Sequence, residues 1–406
     1  MRSKKRWLTL GSIAVALLAA CSAQNPYFDP TKPHHTKEGF RNNYPHPEKG
    51  SFWAWKWEQW RLGLPVDPPP GGWKFGTLAQ GAQAFRGNHP EHRVTWIGHA
   101  TVLVQIGSVN VITDPQFSER ASPIGFAGPQ RVVPPTPALA DLPRIDAVLI
   151  SHDHYDHLDI ESVKALANQP GGSPRFFVGL GLKEWFAQFG ITDVVEMDWW
   201  QRVDFKGVEI HFTPVQHWSK RTLTDANRRL WGGWVVRHPT FSFFFTGDAG
   251  YSQDFADIGQ RLGPFDLAAI PIGAYAPRWF MRIMHVDPAE AVKVHQDVRA
   301  RQSLGIHWGT FANLTDEALD LTFRSGFLRV NARRDAAICA AAALMAAPYS
   351  RALGNLPFIV RTKNWRAVIR EALLLEELLE HFRCDDLTHH TLVIELMGRI
   401  EHVDPL

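Results

Sequence analysis

The chain is 406 residues long, 45% apolar and 21% charged, with a formal net charge of +2. That length can bury a large core in one big domain or two, and the composition is that of an ordinary folded protein. Four basic residues (Arg2, Lys4, Lys5, Arg6) fall within the first six positions, and without residues 1–20 the balance is 39 Lys and Arg against 41 Asp and Glu, so no basic stripe remains and electrostatic DNA or RNA binding is disfavoured.

Residues 1–20 read as a signal rather than as part of the fold. A positive start is followed by the short apolar run 7–20, too short to span a bilayer and patterned for secretion. It ends Leu18-Ala19-Ala20-Cys21, which resembles the bacterial lipoprotein lipobox. The resemblance implies cleavage before Cys21, lipidation there and, with Ser22 next, transfer to the outer membrane on its periplasmic face. Such an anchor is stable, since each buried methylene contributes about 0.8 kcal/mol. An ordinary signal with a chance cysteine is the other reading. Cys339 and Cys384 do not make a disulfide framework, and their pairing stays open.

Residues 21–50 are rich in Pro, His, Asn and charge without periodicity and read as a tether. The run Phe52-Trp53-Ala54-Trp55-Lys56-Trp57-Glu58-Gln59-Trp60 comes next, before a Pro/Gly turn at 68–72. Such dense tryptophan suits a membrane-interface belt, a cap on the core or an acyl groove. Strand-like runs follow at 94–97, 101–106, 109–113, 147–151, 176–179, 208–214, 231–237, 241–246, 267–271 and 303–307. Helix-like segments fall between some of them, at 159–168, 182–189, 253–262 and 288–298. Strands in succession, then strands alternating with helices, predict a layered α/β domain with mixed sheets over residues 51–320.

The chemistry concentrates at 151–157, Ser-His-Asp-His-Tyr-Asp-His, directly after the apolar stretch 145–150. Polar groups buried without partners cost several kcal/mol each, whereas imidazole with carboxylate is the ligand set of Zn²⁺ and related cations. His152 and His154, two apart, can converge on one ion, and Asp156 and His157 on a second. His217, Asp248 and His307 each stand at the carboxyl end of a predicted strand, where α/β folds gather ligands.

His152-Asp-His154-Tyr-Asp156-His157 resembles the His-x-His-x-Asp-His motif of the metallo-β-lactamase superfamily. Residues from about 25 to 316 look like its branch of N-acyl-phosphatidylethanolamine-hydrolysing phospholipase D and bacterial relatives. The similar stretches include Trp96-Ile-Gly-His-Ala-Thr101, Ile112-Thr-Asp114-Pro115, Gln216-His217-Trp-Ser219, Arg229-Leu-Trp-Gly-Gly233, His285-Val-Asp-Pro288 and His307-Trp-Gly-Thr-Phe311. The resemblance implies an αβ/βα four-layer sandwich, with two mixed β-sheets flanked by helices and two metals at the sheet edges. One ion would bind His152, His154 and His217, the other Asp156, His157 and His307, with Asp248 between them. Asp114 would orient the ligands from behind. Zinc is the expected metal, with Mn²⁺ or Fe as alternatives.

The chemistry implied is hydrolysis of a phosphodiester by a hydroxide shared between the ions, on N-acyl-phosphatidylethanolamine or a related phospholipid. Asp156 would help handle the proton. His285 would bind phosphate or assist the leaving group, a packing histidine being the equal alternative. Tyr275 and Arg278 are candidates for the same wall, Arg suiting a phosphate oxygen. A lactonase or other small-ester hydrolase, and a non-enzymatic envelope lipoprotein, are the competing functions. Beyond about residue 320 the resemblance fades, and residues 321–406 read either as a shifted frame or as a small helical extension. The sequence does not set the oligomeric state.

Overall fold

A computed structural model of the chain describes residues 24–64, 91–312, 314, 330 and 331. The signal segment, Cys21, the turn at 68–72, Cys339, Cys384 and all but two residues of the expected tail lie outside the described residues. Among the described residues, no helix is long and apolar enough to cross a membrane.

In chain order the strands are β1 (Arg93–Gly98), β2 (Thr101–Ile106), β3 (Val109–Thr113), β4 (Gln130–Arg131), β5 (Ala147–Leu149), β6 (Arg175–Gly179), β7 (Val194–Met197) and β8 (Arg202–Phe205). They continue with β9 (Val208–Thr213), β10 (Gly233–His238), β11 (Phe241–Phe245), β12 (Phe265–Pro271), β13 (Ala300–Ile306), β14 (Phe311–Ala312) and β15 (Val330–Asn331). Six strands form one sheet in the order β1-β2-β3-β5-β6-β7, and seven the other in the order β15-β13-β12-β11-β10-β9-β8. Both are mixed. β1, β2 and β3 pair antiparallel, whereas β3, β5, β6 and β7 run parallel. In the second sheet β8 to β11 are antiparallel and β11, β12 and β13 parallel.

The period-two pattern of the strands assigns the layers. In β2, Val102 and Val104 belong to the core that also holds Phe212, Trp234, Val236 and Phe243 of the opposite sheet. Leu103, between them, joins the second core, with Val163, Leu166, Trp185 and Phe186 from helices Ile160–Ala167 and Lys183–Ala187. On the second sheet, helices Asp254–Arg261 and Pro288–Asp297 contribute Phe255, Ile258 and Val294. The result is helices, sheet, sheet, helices: the four-layer αβ/βα sandwich that the sequence resemblance implies. Pro288–Asp297 starts on a capping box in which Asp287 accepts from Glu290 N, so two of its first amides are satisfied.

Two regions differ from expectation. Residues 24–50, read as a tether, pack against the domain as a strap. Phe40 is buried in the inter-sheet core, and its N–H donates to Asn227 O at 2.8 Å. Sequence composition missed this because polar and proline-rich segments bury their backbone through specific hydrogen bonds that leave no periodic trace. The tryptophan run is helix Phe52–Leu62, capped by Ser51 at its start and by Gly63 at φ 64° at its end. Trp55 stacks on Phe280 at 4.8 Å, but Trp53, Trp57 and Trp60 are 78%, 63% and 72% exposed. One tryptophan caps the core, and the others face outward.

Candidate metal centre

Parallel pairing of β3 with β5, of β11 with β12 and of β12 with β13 aligns their carboxyl ends, and the candidate residues sit on the loops that leave them. Asp114 follows β3, residues 151–157 follow β5, Asp248 follows β11 and His307 follows β13, while His217 follows the antiparallel β9. The 151–157 loop is held from behind. Asp114 Oδ1 accepts from Ser151 N at 2.7 Å, and its Oδ2 accepts from Ser151 Oγ at 2.5 Å and from His157 Nδ1 at 2.7 Å. Asp153 points away from its histidine neighbours and accepts from Lys220 N at 2.8 Å and Arg229 Nη1 at 2.9 Å.

His152, His154, His217 and Asp248 present ligand atoms within 4.8 Å of one another, and His99, Asp156, His157 and His307 form a second such group. Asp248 stands between the groups. Its Oδ2 is 3.1 Å from His157 Nε2, 3.8 Å from His152 Nε2 and 3.9 Å from His217 Nε2, and its Oδ1 is 3.1 Å from His307 Nε2. His154 Nε2, His157 Nε2 and Asp248 Oδ1 are buried without a hydrogen-bond partner. Such atoms are rare in folded proteins; those of His157 and Asp248 lie within the cluster, whereas His154 turns its Nδ1 towards it, 2.8 Å from His152 Nε2 and 3.4 Å from His217 Nε2. His217 Nδ1 donates to Met284 O at 3.0 Å and His157 Nδ1 to Asp114, which leaves each Nε2 aimed inward. That tautomer control is how ligating histidines are oriented. The donor set fits a pair of divalent cations.

The protonation pattern agrees with that fit. Burial, reinforced by neighbouring imidazoles, holds His152 well below the usual histidine range, and burial does the same to His217. Both are therefore neutral, the form that ligates. At His157 burial acts downward, but Asp248, Asp156 and Asp114 together outweigh it and hold the ring well above its usual range. His307 is likewise pushed up to about 9 by Asp248 and Asp156 against burial. Burial would raise Asp156 and Asp248, but the surrounding histidines keep both well below the carboxylate range. Two buried carboxylates thus demand positive charge, which cations would supply in place of protons.

His99 is the residue that sequence reasoning missed. It is buried, its Nε2 donates to Asp156 Oδ2 at 3.0 Å, its carbonyl accepts from His307 N at 2.8 Å, and its ring lies 3.9 Å from that of His307. A single histidine between two strands carries no ligand spacing, although it sits within Trp96-Ile-Gly-His-Ala-Thr101. His99, Asp114 and His307 have φ of 52°, 34° and 62°. These are uncommon values for residues with a Cβ, and they gather where a fold forces side chains into a site.

The model of the beta-lactamase superfamily domain matches residues 109–308. A metal-dependent hydrolase of Methanopyrus kandleri is 31% identical over 223 residues, covering 54% of this chain and 85% of that protein. The chain belongs to the metallo-β-lactamase superfamily. Within it, N-acyl-phosphatidylethanolamine-hydrolyzing phospholipase D 1 of Caenorhabditis elegans is 49% identical over 233 residues, 55% of this chain and 65% of the relative. The mitochondrial N-acyl-phosphatidylethanolamine-hydrolyzing phospholipase D of Saccharomyces cerevisiae is 35% identical over 224 residues, 53% and 47% of the two chains. The chain therefore spans less than two thirds of either phospholipase.

Among the remaining site candidates of this superfamily member, His285 faces the cluster. Its Nδ1 is buried without a hydrogen-bond partner, 3.9 Å from Asp248 Oδ2, and burial lowers its pKa to about 3. Arg278 departs from expectation. Its guanidinium donates to Glu290 Oε2 at 2.7 Å and His285 O at 2.8 Å and lies 3.4 Å from Asp287, so it braces the His285 loop instead of offering its fork to a phosphate. Tyr275 is buried beside that loop. An aromatic wall leads outward from the cluster: Trp218 lies edge-on to His154 at 4.7 Å, and the Lys49 ammonium sits 3.6 Å over the Trp218 ring.

Proposed function

We propose that the chain is a binuclear metal-dependent hydrolase acting on phosphodiesters, of phospholipase D type, on N-acyl-phosphatidylethanolamine or a related phospholipid. The observation that carries the hydrolase reading is Asp248 standing between two buried His/Asp groups of converging ligand atoms, with His157 Nε2 and Asp248 Oδ1 left without a hydrogen-bond partner. The phospholipid reading is supported by the 49% identity to the C. elegans phospholipase. In this reading His152, His154 and His217 hold one ion, Asp156, His157 and His307 hold the other, and Asp248 serves both. Zinc suits the imidazole and carboxylate donors. When bound, such a pair supplies an acidified water and positive charge facing the entering and leaving oxygens.

The chain's own residues do the rest. Asp114 and Met284 O hold the His157 and His217 rings in the ligating tautomer. His99 fixes Asp156, whose Oδ2 would share in handling the proton of the attacking water. His285 Nδ1, neutral and close to Asp248, would contact the phosphoryl group or serve the leaving oxygen. The wall of Trp218, Trp55 and Phe280 excludes water and suits an acyl chain. Anchoring through Cys21, with residence at the outer membrane, belongs to the same proposal and would bring the site to its substrate. Replacing Cys21 with Ala should move the protein from the membrane to the soluble fraction.

The deciding experiment is metal analysis of the purified protein with a panel of phospholipids and lactones, His154→Ala serving as control. Two equivalents of metal and release of phosphatidic acid support the proposal. Ring opening of lactones alone would make the protein a lactonase, and full activity in His154→Ala would refute the metal mechanism. Absence of bound metal in wild type would favour a non-enzymatic lipoprotein.

A further inference from the structure

The strap at residues 24–46 reaches the centre at one point. Asn42 Oδ1 accepts from His217 N at 3.0 Å, and Asn42 Nδ2 donates to His217 O at 3.0 Å. One amide thus brackets both backbone polar groups of a single residue. The same Oδ1 accepts from Trp231 Nε1 at 3.2 Å, and that indole also donates to Val215 O at 2.9 Å. Among the described residues no other group bonds to the His217 backbone amide or carbonyl. His217 lies beyond β9; an isolated antiparallel bridge holds its neighbour Gln216, whose carbonyl accepts from Gly250 N at 2.8 Å, while the N–H and C=O of His217 itself are held by Asn42.

We infer that Asn42 is a positioning residue for His217, which makes the N-terminal strap a working part of the metal centre. The inference rests on the reading of His217 as a metal ligand. Met284 O sets the rotation of the imidazole ring, and Asn42 sets the backbone from which the ring projects. A ligand must be held within about half an ångström to keep its site, and the Gln216 bridge alone leaves the N–H and C=O of His217 without a partner. The strap itself is pinned at several places. Asp198, buried, accepts from Lys32 Nζ, from His34 Nε2 at 2.8 Å and from His35 Nε2 at 3.1 Å. Asn43 Nδ2 donates to Asp254 Oδ1 at 2.9 Å, and Tyr44 hydroxyl to Asp257. Gly39 passes so close to Asn227 that an added Cβ would lie 2.1 Å from its carbonyl oxygen. These anchors deliver Asn42 in one register.

The test is zinc affinity at each of the two positions, measured by chelator competition on the full chain, together with the visible spectrum of the Co²⁺-loaded protein. Wild type is compared with Asn42→Ala, Asn42→Asp and Glu38→Ala. Asn42→Ala should weaken one of the two ions by about 10- to 100-fold, the size of effect seen when a ligand's supporting group is lost, and alter the Co²⁺ spectrum. Glu38→Ala, at an exposed strap position outside these anchors, should bind both ions as wild type does. Asn42→Asp keeps the acceptor for His217 N–H and sets a carboxylate against His217 O, so it should weaken the same ion even if the alanine variant does not fold. Two ions bound with wild-type affinity and spectrum in a folded Asn42→Ala or in Asn42→Asp would overturn the positioning role while leaving the metal centre intact. A wild-type protein that binds no metal would overturn both.

Discussion

The Asp114 carboxylate accepts a 2.7 Å hydrogen bond from His157 Nδ1, and neither side chain is exposed to solvent. The bond determines which nitrogen of His157 faces Asp248. In Asp114→Asn the amide keeps one acceptor but carries no charge to favour the Nδ1–H tautomer. Metal affinity should fall by about 10- to 100-fold, with the fold retained. Metal content after dialysis against a graded chelator series checks this, and wild-type retention would show that the carboxylate is dispensable.

Replacing His285 should separate chemistry from metal binding. His285→Ala leaves both metal groups complete, so two ions should remain bound while turnover falls by about 100-fold or more, the range for loss of a general acid or base. Loss of an ion in this variant would instead make His285 a ligand.

Gly273 allows His307 its position. A Cβ there would lie 2.2 Å from His307 O, a backbone atom that cannot swing aside. Gly273→Ala should therefore displace His307, cost about 1–3 kcal/mol and weaken metal binding. At Gly125 an added Cβ would meet nothing within 4 Å, so in a urea titration of the two variants Gly125→Ala should be neutral and Gly273→Ala destabilised.

Arg229 is the partner of a buried charge. Asp153 lies between His152 and His154 with a fully buried side chain, and Arg229 Nη1 sits 2.9 Å from its Oδ2. Arg229→Met strands that carboxylate and should destabilise the fold by about 3–5 kcal/mol. Adding Asp153→Asn should recover part of the loss. If the double variant is no more stable than the single one, the charge is not the cause.

Acid should loosen the strap through Asp198. Burial acts to raise its pKa, but hydrogen bonds from His34 and Lys32 and the His34 charge outweigh burial and hold it below the ordinary value of 3.8. A carboxyl group with a lowered folded pKa contributes stability above its unfolded pKa and loses it as pH falls through the folded one. Unfolding free energy should thus decline below about pH 4 more steeply in wild type than in Asp198→Asn. Parallel declines would remove Asp198 from the account.

Local pattern determined a good deal. Val102, Leu103 and Val104 sort to opposite faces of their strand because side-chain direction alternates along any strand. The density of His and Asp at 151–157 pointed to a cation because polar groups buried without partners are costly. What only the tertiary structure decided depends on contacts between residues distant in sequence. His99 joins Asp156, Asn42 reaches His217, and Arg278 turns from an expected phosphate ligand to Glu290. Each of these is one directional hydrogen bond made by one side chain, and a single bond of that kind leaves no periodicity or spacing in the sequence. Hydrophobic burial repeats along the chain and is legible there; the aim of a lone polar group becomes visible only when the fold supplies its partner.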